Sequence, residues 1–243
     1  MRFRRRRPRL RRPIVLTVDP ALVPGMTVRA MRGWASRTGL VRAVRYGPLP
    51  WPIPLPIFAT FTTKNLDDAL RSALRDTDNM VWCVGWSQGG QITYKWLRDY
   101  GPTSDIPPDR VRFVSLGNPE RLHGGACVVP NPPTKISGRP KASYGGCGVP
   151  EGNRYTVWDF VRQHDGWADC PTVEQPTAEA LAACDDGIHM DYFTVSIEDS
   201  DVVAFTGPDN VTYFLKPTVL PDRAKQARIE QSYRRPPYAG VRR

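Results

Sequence analysis

Val81-Trp82-Cys83-Val84-Gly85-Trp86-Ser87-Gln88-Gly89-Gly90 is an apolar run that breaks into Gly-x-Ser-x-Gly, and residues 88–100 continue it with helical apolar spacing. A strand that passes straight into a helix through this pentapeptide forces its central residue, Ser87, into a strained backbone conformation. Gly85 and Gly89 carry no side chains, so strand and helix can approach closely and leave the serine hydroxyl exposed at the edge of a sheet. The backbone N–H of Gln88, at the helix start, then points toward any negative oxygen formed on a carbonyl that Ser87 attacks. Taken alone, the pentapeptide also suits a glycine-rich turn with an incidental serine. Its surroundings decide between the two.

Upstream, residues 14–18 and 41–46 are strand candidates with a short helix at 31–36 between them, and residues 63–77 set Leu66, Ala69, Leu70, Ala73 and Leu74 on one helical face. Downstream, Tyr100-Gly101-Pro102 stops the helix after Ser87, residues 111–116 and 154–161 read as strands, and residues 177–183 as an alanine-rich helix. This alternation predicts βαβ units and hence an α/β fold with a central, mostly parallel sheet. Residues 192–197, 202–206 and 211–215 read as further strands joined by polar turns, which adds a C-terminal antiparallel hairpin; residues 224–233 read as a helix. Five prolines between 46 and 58 exclude a helix interior and a central strand there. That apolar segment suits a strap over the core or the wall of an acyl-binding cleft.

A chain of 243 residues is long enough for one sizeable core. Its net charge of +10 is concentrated at the ends: residues 1–12 hold eight arginines and no acid, and residues 221–243 carry +5, which leaves the body near −3. The body is thus no nucleic-acid grip. The expected organisation is a disordered Arg-rich tail at 1–13, a folded domain at 14–222 with a Pro/Gly/Lys-rich lid or surface insert at 126–152, and a basic tail at 223–243. The tails suit an anionic surface, nucleic acid or an acidic protein such as a virion component. Neither a Sec-type leader nor an apolar span of about 20 residues stands out. Synthesis in the cytoplasm is expected, with action there, outside the cell or in a virion.

A serine nucleophile needs a base and a carboxylate to orient it. Only three histidines exist, His123, His164 and His189. Ser87, Asp165 and His189 satisfy the order nucleophile, acid, histidine. His164 adjoins the candidate acid, and His123 precedes every acid of that loop. Asp169 is the second choice for the acid, with Asp159 and Asp186 behind it. Asn118 and Arg121 follow the 111–116 strand, where ligand-shaping residues of open α/β sheets lie.

Taken together, Gly85-Trp86-Ser87-Gln88-Gly89, Gly117-Asn118-Pro119-Glu120-Arg121 with Gly124-Gly125, Gln163-His164-Asp165-Gly166-Trp167-Ala168-Asp169-Cys170-Pro171 and His189-x-x-Tyr192 resemble the PE-PPE-type serine hydrolase domain of mycobacteria. That family is related to cutinases and to the lysin B mycolyl-ester hydrolases of mycobacteriophages. The resemblance covers roughly residues 75–222. It implies an α/β-hydrolase-like sandwich, a Ser87-Asp165-His189 triad with Gln88 in the oxyanion hole, and esterase or lipase action on acyl esters, mycobacterial envelope lipids among them. Where the family carries a Gly-rich turn after the first strand, this chain has Thr17-Val18-Asp19-Pro20, which leaves the second oxyanion donor unassigned and puts a carboxylate nearby. An arginine tail stands in place of a PE or PPE region, which points to a standalone or phage-encoded enzyme.

Of the five cysteines, Cys83 is expected as a buried small apolar residue, while Cys127/Cys147 and Cys170/Cys184 bracket loops that disulfides would staple. No Cys/His spacing suits zinc and no Gly-rich phosphate loop is present, so no cofactor or metal is expected. Two other classes of function compete with the esterase. One is a phage tail or adhesive component that retains the fold with weak catalysis, and the other an anionic-surface or nucleic-acid binder working through its tails.

Overall fold

The computed structural model describes residues 10–20, 23–46, 56–130, 144–218 and 220–240. Eight strands form one sheet in the order β2-β1-β3-β4-β5-β7-β6-β8. In chain order these are β1 (Ile14–Val18), β2 (Leu40–Ala43), β3 (Val81–Trp86), β4 (Val111–Leu116), β5 (Thr156–Arg162), β6 (Val203–Thr206), β7 (Val211–Lys216) and β8 (Ala239–Gly240). From β2 through β7 the neighbours run parallel. Only β6 and β8 add antiparallel pairs, β6–β7 being the C-terminal hairpin.

The inner strands alternate their side chains between two cores, as the two-residue period requires. Val81 and Cys83 of β3 join Ile14, Leu16, Leu66, Leu70, Ile92 and Phe113 on one face. This face is covered by helices α2 (Pro56–Asp76) and α3 (Gln88–Asp99), which pack on each other. Val84 and Trp86 point to the other face, with Val15, Val114 and Phe160. There the cover is a short helix α1 (Ala30–Thr38) and the loop carrying Tyr192, Val195 and Ile197. Both faces of a parallel sheet must be buried, and this one achieves it with helices on one side and a helix plus an irregular loop on the other.

Several elements differ from what the sequence led us to expect. The helix expected to start at 63 begins at Pro56, the last of the five prolines; a proline at a helix start loses no bond, because the first N–H groups have no partner within the helix. Residues 47–55 of that segment lie outside the described residues. Residues 192–197 form no strand. Their carbonyls instead serve α1, where Met31 and Arg32 donate to Tyr192 and Phe193 at 2.7 and 3.2 Å across a left-handed kink. The loop around His189 contains a turn of helix, α5 (Asp186–Met190), capped by Asp185, whose carboxylate accepts from Gly187 N at 2.6 Å. In the stretch assigned to a basic C-terminal tail, the helix expected at 224–233 is present as α6 (Arg223–Glu230) and packs on α4 (Ala178–Ala183), and the chain goes on to join the sheet as β8. None of the five cysteines is in a disulfide, so neither expected bridge is formed; Cys147 Sγ lies 3.6 Å from the carbonyl of Cys127. Among the described residues, no helix is long and apolar enough to cross a membrane.

Candidate active site

The elbow is built by close backbone contact. Ser87 sits between β3 and α3 at φ 55°, ψ −115°, a conformation that a non-glycine residue adopts only when its surroundings enforce it. A Cβ on Gly85 would stand 2.3 Å from the carbonyl oxygen of Gly89, and one on Gly89 would stand 2.0 Å from that of Val18. The first turn of α3 is therefore pressed against the end of β1, and only glycines allow it. Ser87 N donates to the Leu116 carbonyl at 2.8 Å, which ties the elbow to β4 as well.

The histidine that meets Ser87 arrives from α5. His189 Nε2 lies 2.8 Å from Ser87 Oγ, and its Nδ1 lies 2.9 and 3.0 Å from the two oxygens of Asp165. A carboxylate can only accept, so the ring proton resides on Nδ1 and Nε2 presents its lone pair to the serine hydroxyl. Asp165 follows β5, the strand next to β4, and is fully buried. It also accepts from Tyr192 Oη at 2.6 Å and from the amides of Trp167 and Ala168 at 2.8 and 3.2 Å. Burial pushes its carboxyl up, but His189 and the donated hydrogen bonds outweigh that, and the net displacement is downward. Burial raises Tyr192 well above the usual phenol range, which keeps it a donor. Three residues that satisfy the chain order thus meet in one hydrogen-bonded line.

The other acids and histidines are engaged elsewhere. Asp159, also fully buried, accepts from Arg121 Nε at 2.7 Å and from Tyr94 Oη at 2.5 Å, and touches no histidine. Arg121 is accordingly committed to a fully buried ion pair. Asp169 accepts from His164 N at 2.8 Å and pairs with Arg235. The side chain of Asp186 lies outside the described residues. His164 meets Tyr233 Oη at 3.1 Å, and His123 stands edge-on to Tyr213 with ring centroids 4.6 Å apart. Asn118 uses its side-chain oxygen for its own turn, accepting from Glu120 N at 2.9 Å.

Gln88 opens α3, so its backbone N–H stands at the positive end of that helix beside Ser87. Its side-chain amide donates to Tyr144 Oη at 2.7 Å, which anchors the far end of the 126–152 insert to the elbow; residues 131–143 between lie outside the described residues. Asp19, the unexpected carboxylate after β1, is turned onto the loop that follows it. Gly25 N and Thr27 N donate to its two oxygens at 2.7 and 2.9 Å. Two amides thus meet its charge. The Tyr192 hydroxyl and the Trp167 and Ala168 amides are the site groups that sequence reasoning missed. Tyr192 was visible as the last position of His189-x-x-Tyr192, but only the fold reveals that it reaches the acid. Among the described residues no group of His, Cys, Asp and Glu is arranged to hold a metal ion.

A family model described as the PE-PPE domain matches residues 59–215. Among solved structures, the chain is similar to a cutinase-like protein from Cryptococcus sp., with 19% identity, a TM-score of 0.47, and 75% of this chain and 91% of that one covered. It is also similar to an acetyl xylan esterase, at 13% identity and TM-score 0.46 over 75% of this chain and 91% of that one. Lysin B from Mycobacteriophage D29 matches at 19% identity and TM-score 0.36, over 46% of this chain and 48% of that one. No curated protein matches.

Proposed function

Since the chain belongs to the PE-PPE domain family, we propose that it is a serine hydrolase of carboxylic esters, acting on acyl esters of lipid type through Ser87, His189 and Asp165. The observation that carries this reading is the 2.8 Å contact between His189 Nε2 and Ser87 Oγ on a strained elbow, with Asp165 behind the ring. In the first half-reaction Ser87 Oγ attacks the ester carbonyl carbon while His189 Nε2 takes the hydroxyl proton. The carbonyl oxygen becomes an oxyanion toward which the Gln88 N–H is directed. Collapse breaks the bond to the alcohol oxygen, which leaves with the proton from His189, and the acyl group remains on Ser87. Water then repeats the sequence on the acyl-enzyme, releasing the acid. Asp165 stays ionised throughout; it holds the tautomer and offsets the charge of the imidazolium.

The experiment is hydrolysis of p-nitrophenyl esters across acyl lengths by the wild-type chain and by Ser87→Ala, with fluorophosphonate labelling of both. We expect turnover and labelling in the wild type alone. Equal rates in the two proteins at every acyl length, with no label on Ser87, would overturn the assignment.

A further inference from the structure

The loop that carries the triad acid is braced by its own hydrogen bonds and, beyond them, by a distant segment of the chain. His164, the residue just before Asp165, has φ 66°, a left-handed conformation that costs a side-chain-bearing residue free energy unless neighbours enforce it. Asp169 supplies part of that constraint by straddling Asp165. One of its oxygens accepts from His164 N at 2.8 Å, and its own N–H donates to the Asp165 carbonyl at 2.8 Å. Asp169 is nearly fully buried and would be a costly isolated charge.

What completes the grip comes from far along the chain. Arg235 pairs with the other oxygen of Asp169 and, through Nε, with Glu230 at 3.0 Å. Its guanidinium lies over the Tyr233 ring, 4.2 Å from the centroid. The Tyr233 hydroxyl meets His164 Nδ1 at 3.1 Å, and Glu230 accepts from Gln163 Nε2 at 2.6 Å. Thr172 N, just beyond the loop, donates to the Ser232 carbonyl at 2.9 Å. Gln163, His164, Asp169 and Thr172 are thus each gripped by this one segment, and Asp165 lies between them.

We propose that residues 229–238, which lie outside the family-matched region 59–215, form a latch that fixes the loop of the triad acid, with Tyr233 and Arg235 as positioning residues for Asp165. Neither touches Ser87 or His189. They act by holding the two residues that bracket Asp165 in the chain, His164 and Asp169, so that the carboxylate meets His189 Nδ1 with both oxygens in reach. The latch also gives the second acid of the loop a role: Asp169 is the strike plate on which Arg235 closes.

The kinetic arm of the test rests on the hydrolase reading, and an exchange arm does not. In Arg235→Ala we expect kcat to fall by about 10- to 100-fold with KM nearly unchanged, the size of loss a displaced catalytic group produces. Arg235→Lys, which keeps a cation for Asp169, should recover most of it. The double variant Asp169→Asn/Arg235→Ala should lose less than Arg235→Ala, because no buried charge is stranded. Tyr233→Phe removes one hydroxyl and serves if Arg235→Ala fails to fold. Amide hydrogen exchange over residues 163–170 is measured on the same full-length proteins, and faster local exchange is expected in each weakened latch. Should the wild type hydrolyse no ester, the hydrolase reading fails and exchange alone decides the latch. Unchanged exchange overturns it in any case, and so does a wild-type kcat in Tyr233→Phe and in any folded Arg235→Ala, if the wild type turns over.

Discussion

Ser87 is delivered by consecutive residues, a strand, a turn and a helix between 81 and 99, whereas Asp165 and His189 stand on separate segments, the loop after β5 and α5, and Asp165 is met by donors from its own loop, from His189 and from Tyr192. On the serine side the geometry is fixed by backbone meeting backbone, with glycines as the means of approach. On the acid side it is fixed by directional hydrogen bonds to a buried carboxylate. The first construction has no slack, so a single methyl group is enough to spoil it. The second is distributed, so removing one donor should weaken it by degrees, and only removal of the central carboxylate should collapse it.

That contrast orders the expected effects. The largest lies on the acid side at its centre: Asp165→Asn should keep the fold and lower kcat by on the order of 10⁴, because an amide beside Nδ1 favours the wrong tautomer. Asp169→Asn should cost far less, since Asp169 contacts a backbone amide and Arg235 rather than the base. Ester turnover of the two variants measures this, and comparable losses would mean that the acid has been misassigned. Next comes the elbow. Gly89→Ala places a methyl group 2.0 Å from the Val18 oxygen, with only backbone to give way. A loss of about 3 kcal/mol in unfolding free energy is expected, together with loss of fluorophosphonate labelling. Gly187→Ala in α5, where the nearest atom would be an Asp185 side-chain oxygen at 3.1 Å, should change stability by less than about 1 kcal/mol. Denaturant unfolding of both glycine variants tests whether slack is absent on one side and present on the other.

The same contrast explains what was legible in the sequence. β1, β4 and the helix after Ser87 announce themselves because their apolar periods and stop signals are local. The elbow is local too, so Ser87 and Gln88 could be placed from adjacent residues. Asp165 and His189 were reached by the order of acids and histidines along the chain together with the family resemblance, not by any local pattern. What could not be read was whatever depends on distant partners. Tyr192 sits in a segment with the alternation of a strand, yet its carbonyl is taken by Met31 and its hydroxyl by Asp165. Residues 224–233 read as a helix in a basic stretch, but nothing in those charges tells that Arg235 closes on a buried carboxylate. Pro56 reads as a helix breaker although it stands at a helix start.

Smaller effects probe the distribution of the acid-side bonds. Tyr192→Phe removes one of the donors to Asp165 and leaves the two amides and His189 in place. A loss of about 1–2 kcal/mol in transition-state stabilisation, roughly tenfold in kcat, is expected from one hydrogen bond to a charged group. A loss as large as that of Asp165→Asn would show that the tyrosine, not the network, carries the carboxylate.

The smallest effect is the dependence of stability on pH that this carboxylate contributes. Asp165 is held below the usual carboxylate range in the folded state, the favourable contacts outweighing burial. The folded protein therefore gives up this proton more readily than the unfolded chain does. Its contribution to stability is fully present above the ordinary aspartate pKa of about 3.9, and it is lost as pH falls through the lower, folded value. Thermal unfolding of the wild type and of Asp165→Asn, followed from pH 6 to pH 2, isolates this group because every other carboxylate is common to both proteins. The two curves should keep a constant separation at the upper end, and the wild type should then lose ground relative to the variant as the solution becomes more acid. A separation that does not change below pH 4 would mean that Asp165 is not held in its ionised form by the four donors around it. The acid side would then owe its geometry to packing, as the elbow does.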